Sequence, residues 1–599
     1  MSGIAGIYQR DGRRVEVSHP SSALGASRGW GFEISGNEDG SVIVTLDGRF
    51  DNREELRDAL GARGARLRQD CDGELLLRAY ECWGEECPAK LLGDFAFAIW
   101  DGRERRVFCA RDHVGVRPFY YHLSPKSFAF ASAIRDLLAM GEIPRRLNES
   151  RVADYFTDEL APVDQEATFY QDILRLPAGH SLTVTADRVT VRDYWQLGRR
   201  PLLKLGSWEE YGEAFREVFV EAVRCRLRSA GRTGATLSGG LDSSSIVCTV
   251  RELIGDELNE PLHTVSLVDG DETKCGETPY IREVLCGGGL APKFVRSDQA
   301  GDYCGELEQV IAESDEPWDI GHYAFNHIVV QAARKAGLDV LLEGAAGDAI
   351  VPPVSFLATL LRRLKLGLVA RELRYLEDSR AGRVRTLIYQ GLVPFAPEVY
   401  LRLRTMARRP DPLEPPISPR LAERTKVVER CWQRRMKLWR LARDADALHA
   451  WTFRSGTLAY FCEILHRLAA RADVETRSPF SDRRVVEFFV SLPLERKIDF
   501  PVPKMVIRAG MRGVVPEGAR WRVESAHPGT AFMLELAKRA EASIRKEIAR
   551  SRECMAEFVN LEQLKEVYAK FEAGDRRDTV WPIWRTAVLS AWLNSGKLG

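Results

Sequence analysis

The chain has 599 residues and carries 86 basic and 86 acidic side chains, so its formal net charge is zero. That length exceeds what one hydrophobic core serves, since domains usually hold roughly 50–200 residues. A composition 45 % hydrophobic and 29 % charged excludes a disordered chain, and neutrality excludes bulk nucleic-acid binding, which needs a basic excess. No run of about 18 apolar residues is present to span a bilayer. The opening Met1 to Tyr8 lacks the basic-then-apolar pattern of a signal peptide. The 12 cysteines are scattered without a C-x-x-C pair, which fits a reducing cytoplasm and no zinc site.

The first domain is expected over 1–198 and reads as mostly β. Residues 41–46 alternate as a strand and should end in a turn at Asp47-Gly48. Residues 94–100 form another strand, followed by a hairpin signal at Asp101-Gly102. Strands at 107–110, 118–122 and 127–132 follow, and 54–60 and 74–83 have helical periodicity. Strands in hairpin succession predict antiparallel sheets with helices packed outside. After a linker at 199–206, the pattern changes over 207–599. A helix is predicted at 208–228, a strand at 233–237, a helix at 244–253, and strands at 263–268 and 340–342. That alternation predicts a parallel sheet covered by helices on both faces.

The segment Ser238-Gly239-Gly240-Leu241-Asp242-Ser243-Ser244 lies between an apolar strand and a helix. The two glycines let backbone approach an anion closely, and the helix start supplies amides and a positive dipole end. Ser238, Ser243 and Ser244 add hydroxyls. Asp242 would repel a bare phosphate but makes sense if Mg²⁺ bridges it to phosphate oxygens. The loop lacks the G-x-x-x-x-G-K-[ST] pattern.

This segment resembles the pyrophosphate loop of ATP pyrophosphatase-type synthetases. Gly3 to Ile7, Arg111 to Tyr120, Phe128 to Ser132, Glu475 to Asp482 and Lys504 to Arg508 narrow the resemblance to the asparagine synthetase family. It covers nearly the whole chain except about 355–450. It implies an N-terminal Ntn-type αββα glutaminase-like domain and a C-terminal parallel-sheet α/β synthetase domain with a helical insertion. It also implies ATP and Mg²⁺. Leu237, Val265, Ser266 and Gly344 would cradle adenosine, and Asp348 would join Asp242 on the metal. Lys504 would stabilise the adenylation state, with Arg508 supporting the phosphates or only the fold.

The sequence departs from that family in several places. Ser2 stands where the family has its nucleophilic cysteine, and Asp47-Gly48-Arg49 replaces Asn-Gly-Glu. A carboxylate near a developing oxyanion opposes the reaction, so the first domain is expected to be inactive. Asp70 and Asp72 stand where an aspartate holds the glutamine amine. Ala345 replaces a Glu or a Tyr and cannot take a proton, which leaves Glu463, the substrate or pyrophosphate as acceptor.

Relatives that lost the glutaminase cysteine use an amine within the substrate. The long gap at 355–450 is basic, through Arg362, Arg363, Lys365, Arg371, Arg374, Arg430, Arg434, Arg435, Lys437, Arg440 and Arg443. It carries Trp432, Trp439 and Trp451, and a Pro-rich break at 410–419. The overall resemblance is greatest to lasso peptide cyclases, then to β-lactam synthetases. It implies cytoplasmic macrolactam formation on the core peptide of a ribosomal precursor, beside a leader peptidase and a leader-recognition protein. Other readings are an asparagine synthetase, a β-lactam-type synthetase acting on a small amino diacid, and a non-catalytic ATP-binding scaffold.

Overall fold

The structure is a computed structural model. It describes residues 3–10, 15–18, 32–141, 143–157, 164–198, 200–228, 231–254, 261–268, 276–296, 311, 314–317, 320–350, 356–406, 416–497, 502–523, 555–573 and 579–597. Ser2, part of the linker, the start of the gap at 355, most of the Pro-rich break and 498–501 lie outside the described residues.

The first half holds two antiparallel sheets. One runs in the order Val15–Ser18, Ala5–Gln9, Ser127–Ala131, Tyr120–Leu123, Leu174–Arg175. The other runs Val189–Asp193, His180–Val184, Arg106–Arg111, Gly93–Asp101, Val42–Phe50, Phe32–Gly36. Period-two alternation explains the layering. In Gly93–Asp101, Phe95, Phe97 and Ile99 pack against the helices Arg53–Gly61 and Asp72–Trp83. Ala96 and Ala98 point the other way and meet Ile4, Tyr8, Phe128 and Phe130 of the second sheet. Each large apolar side chain so buried contributes about 1.5–3 kcal/mol.

The Asp47-Gly48 turn expected from sequence is absent, because the strand Val42–Phe50 runs straight through it. Gly48 has φ +141° and pairs with Phe95. A Cβ there would lie 2.1 Å from the Asp94 carbonyl oxygen, so glycine serves close strand approach.

The second half is built on a parallel sheet ordered Leu290–Arg296, Leu262–Val268, Thr233–Thr236, Val340–Leu342, Glu475–Arg477. The helix Trp208–Leu227 starts at Ser207, whose side chain accepts from the Glu210 amide, and buries Phe215, Phe219 and Val223 against this sheet. The helix predicted at 244–253 begins earlier, as Leu241–Ile254, so Asp242 and Ser243 occupy its first turn. In the insertion, residues 356–376 form two helices, Leu357–Arg362 and Leu366–Leu376, broken where Leu364 takes φ +54°. Residues 420–450 fall in Pro419–Thr425, Val427–Leu441 and Ala445–Arg454.

The halves share a core. Ala129 and Ala131 leave the inter-sheet layer and join Ile328, Leu341 and Trp592 of the second half. Trp592 sits between Phe169 and Tyr170, each ring centroid 5.7 Å away.

Candidate functional site

Thr233–Thr236 is the central strand, and its C-terminal end delivers Leu237 to Gly240 onto the start of Leu241–Ile254. The Leu237 amide donates to the Val265 carbonyl at 3.0 Å, which fixes the loop to the neighbouring strand. Gly239 has φ +66°, and a Cβ there would lie 2.9 Å from Tyr280 Cβ and 3.0 Å from the Glu277 carbonyl oxygen. Ser243 Oγ accepts the Ser238 amide at 3.1 Å and donates to the Gly240 carbonyl at 3.2 Å. Arg522 closes the loop from outside, donating to the Ser238 carbonyl at 3.3 Å and to Glu277 at 3.2 Å. The result is a preorganised turn at a helix N-terminus, a setting that attracts anions.

Asp242, Asp348 and Lys504, far apart in sequence, meet here. The Lys504 ammonium lies 2.5 Å from Asp242 Oδ2 and 2.9 Å from Asp348 Oδ1. Lys504 itself takes φ +62° at the start of the helix Met505–Gly510. Gly344 and Gly347 bring the Asp348 loop against Asp242; a Cβ on Gly347 would lie 2.4 Å from Asp242 Oδ2. Burial pushes the Asp242 carboxyl up while Lys504 opposes it. Burial also lowers Lys504, but the two carboxylates outweigh it and hold the ammonium charged.

Two observations speak to what this site can hold. Asp242 Oδ1 is buried with no hydrogen-bond partner among the described residues, and Asp348 is exposed beside it. Two carboxylates with a free oxygen fit a hard divalent cation. The hydroxyls of Ser244, Thr264, Ser266 and Thr278, and Glu277 Oε2, are likewise buried without partners among the described residues. Buried polar groups are normally paired, so unpartnered ones on the strand and helices that flank the loop fit a ligand rich in donors and acceptors, such as a nucleoside. Of the adenosine positions expected from sequence, Ser266 is one of these. Leu237 and Val265 present backbone and bury their side chains, and Gly344 lies against Asp242.

Two expected catalytic residues are placed differently. Glu463 is buried between the halves, paired with Arg111 at 3.3 Å and Arg175 at 3.2 Å and accepting a hydrogen bond from the Tyr120 hydroxyl. Burial alone would raise its carboxyl, but Arg175, Arg467 and Arg111 outweigh it and hold the group at about 2. A carboxylate so stabilised is a weak proton acceptor. It lines a narrow inter-half cavity with Arg151, Tyr460 and Ala459. Arg508 is buried and donates to the backbone carbonyls of Pro503, Arg520 and Arg522, so its guanidinium braces the loops around Lys504.

In the first half, Asp47 is fully buried, accepts from Ser132 Oγ at 2.7 Å and pairs with Arg117 at 3.2 Å. Arg117 also reaches Glu475 at 2.7 Å. Arg49 bonds Asp51 and pairs with Asp94 at 2.7 Å. Asp72 accepts from the Phe50 amide and from Arg53, whereas Asp70 is largely exposed beside Arg53 and Arg57. Asp47 and Arg49 are thus committed to an ionic network that joins the halves through Arg117 and Glu475. Sequence reading missed this network and the roles of Gly347 and Arg522. Only the Gly-x-x-Gly spacing of Gly344 and Gly347 hinted at any of it.

A parallel sheet with a preorganised anion loop, two carboxylates and a lysine at its C-terminal edge fits the phosphates of a nucleotide and their cation. Residues 214–594 match the asparagine synthase family and residues 32–195 the glutamine amidotransferase domain. The chain belongs to the asparagine synthase family. It is 26 % identical over 512 residues to asparagine synthetase [glutamine-hydrolyzing] 3 of Bacillus subtilis, covering 82 % of this chain and 76 % of that one. Asparagine synthetase [glutamine-hydrolyzing] 1 of the same organism is 23 % identical, with 80 % and 74 % covered. Asparagine synthetase [glutamine-hydrolyzing] 2, also from B. subtilis, is 31 % identical over 242 residues, 39 % of this chain and 31 % of that one. No helix among the described residues is long and apolar enough to cross a membrane.

Proposed function

We propose that the chain closes a macrolactam in a ribosomal peptide, a lasso-type ring. An Asp or Glu side chain of the core peptide is adenylated by ATP, and the peptide's own N-terminal amine attacks the activated carbonyl. AMP and pyrophosphate leave. The reading rests on the commitment of Asp47 and Arg49 to buried ion pairs, Asp47 with Arg117 and Arg49 with Asp94, which Glu475 of the second half joins through Arg117 and Arg49. With those side chains locked, the nucleophile is free ammonia or an amine within the substrate, and the long insertion favours the second. Asp242 and Asp348 would hold the divalent cation that neutralises the phosphates. Lys504, already between them, stabilises charge as it moves onto the leaving pyrophosphate. Arg522 and Gly239 keep the loop in register, and Ser266 orients the nucleoside.

The insertion supports a large substrate. Val384, Ile388 and Leu392, then Phe395, Val399 and Leu403, recur at four-residue spacing and are exposed. Trp439, in contrast, is buried against Tyr389 and Tyr400 and forms the insertion's own core. A leader peptidase, a leader-recognition protein and a cytoplasmic setting complete the proposal.

The test combines the chain, Mg-ATP and a leader-free core peptide. The expected result is AMP, pyrophosphate and a product lighter by one water. Only linear peptide, beside an active control cyclase, would refute the reading. A second reading, asparagine formation, draws support from the names of the B. subtilis relatives, and aspartate with ammonia tests it in the same assay. A β-lactam-type reaction would use a small amino diacid and ignore the peptide. A scaffold would bind ATP without releasing pyrophosphate.

A further inference from the structure

We infer that Glu343 accepts the proton of the attacking amine, in place of a side chain at position 345. This rests on the amide-forming chemistry proposed above. The amine nitrogen bonds to the acyl carbon, the bond from that carbon to the AMP oxygen breaks with its electron pair on AMP, and the nitrogen's proton passes to the Glu343 carboxylate.

The argument is geometric. Glu343 is the first residue after the strand Val340–Leu342, and its amide donates to the Arg477 carbonyl at 3.1 Å. The next residue, Gly344, lies against Asp242, with a Cβ there 3.6 Å from Asp242 Cβ. Glu343 therefore opens the loop whose Gly344 and Gly347 pack on Asp242. The chain then turns back. Ala346 takes φ +68°, and Ser478 Oγ donates to the Ala345 carbonyl at 2.5 Å. This turn places the Ala345 amide 2.6 Å from Glu343 Oε2. The carboxylate thus reaches position 345 from two residues upstream, over a side chain that is only a methyl. Glu343 is partly buried, so it retains some access.

Its electrostatic setting differs from that of Glu463. Among the described residues no lysine or arginine makes an ion pair with Glu343, whereas Glu463 has several. The groups facing Glu343 are Asp94, which opposes its ionisation, Arg226, which weakly favours it, Ser478, and Cys462, whose buried thiol stays neutral. Burial chiefly raises the Glu343 carboxyl, to about 7. A base is most effective with its pKa near the working pH. The two carboxylates are therefore driven apart, Glu463 into permanent charge and Glu343 into the range where protons exchange.

The test separates the two half-reactions in the full chain. Acid-dependent exchange of pyrophosphate into ATP reports adenylation, and product mass reports amide formation. Glu343→Gln should keep exchange near wild type and lose amide formation by on the order of 10²–10⁴-fold. The rise of amide formation with pH through neutrality should disappear. Moving the carboxylate, in the double variant Glu343→Ala with Ala345→Glu, should restore part of the rate. Amide formation by Glu343→Gln at the wild-type rate with an unchanged pH profile would overturn the inference. So would loss of exchange and amide formation together in a folded variant. If Glu343→Gln does not fold, Glu343→Asp decides: a displaced pH profile supports the role, and an unchanged one refutes it. Failure of the core peptide to drive exchange in the wild-type chain would count against the macrolactam reading instead. The same variants are then scored on whichever acid, aspartate or amino diacid, does drive it.

Discussion

Gly347→Ala separates the site's chemistry from the protein's stability. The new Cβ would lie 2.4 Å from Asp242 Oδ2 and 2.6 Å from its Cγ, against an ordinary contact of 3.4 Å or more. The atoms in the way are all of the Asp242 side chain, its Cβ at 3.0 Å included, so the carboxylate must move by about 1 Å. The stability cost should be small, and the reduced freedom of the unfolded chain offsets about 0.4–1 kcal/mol of it. Activity should respond differently. A displacement of about 1 Å at a reacting centre costs on the order of 10²-fold, or about 2.7 kcal/mol of barrier. Substrate-dependent ATP–pyrophosphate exchange measured across a magnesium titration, beside thermal unfolding, reads both quantities. The expected result is a melting temperature within a few degrees of wild type, exchange reduced about 100-fold, and a higher magnesium requirement. Exchange within twofold of wild type at equal magnesium would refute the placement of Asp242 on the cation.

Asp242→Asn and Lys504→Ala should each abolish pyrophosphate exchange while the chain stays folded; retained turnover in either would remove its assigned role. Arg117→Met leaves Asp47 and Glu475 buried with fewer partners, and breaking such a pair costs about 3–5 kcal/mol, read as a lower urea midpoint. Burial opposes ionisation of Glu475, but Arg477, Arg117 and Arg49 hold it, like Glu463, at about 2, below the unfolded value of about 4.3. Their contribution is therefore present above about pH 4.5 and is lost as the pH falls towards 2. Melting temperature should drop across that window, less steeply in Glu475→Gln; a flat profile would contradict the burial of these charges. Incubation with glutamine and Mg-ATP should release no glutamate above background, and release matching ATP turnover would overturn the inactive first half.

The strands of the first half were legible because large and small apolar residues alternate, as in Asp94 to Trp100. The strand–turn–helix at 233–254 was legible because two glycines and a run of serines between an apolar strand and a helix mark a tight turn. Gly48 misled, since Asp-Gly signals a turn and here permits two strands to approach. Glu463 misled because periodicity places a residue on a helix but does not report the arginines that two other segments bring to it beside Arg467 of its own helix. The inter-half network was illegible for the same reason: Asp47, Arg117 and Glu475 are remote in sequence and meet only after both halves pack.

Trp592 stands near the end of the chain, yet its ring fills a gap between Phe169 and Tyr170 of the first half, and its indole nitrogen donates to the Asp315 carbonyl at 3.2 Å. One wall of the first half's core is thus supplied by a helix of the second half. Separating the halves would leave Phe169 and Tyr170 on one fragment and Trp592 on the other with their shared faces uncovered.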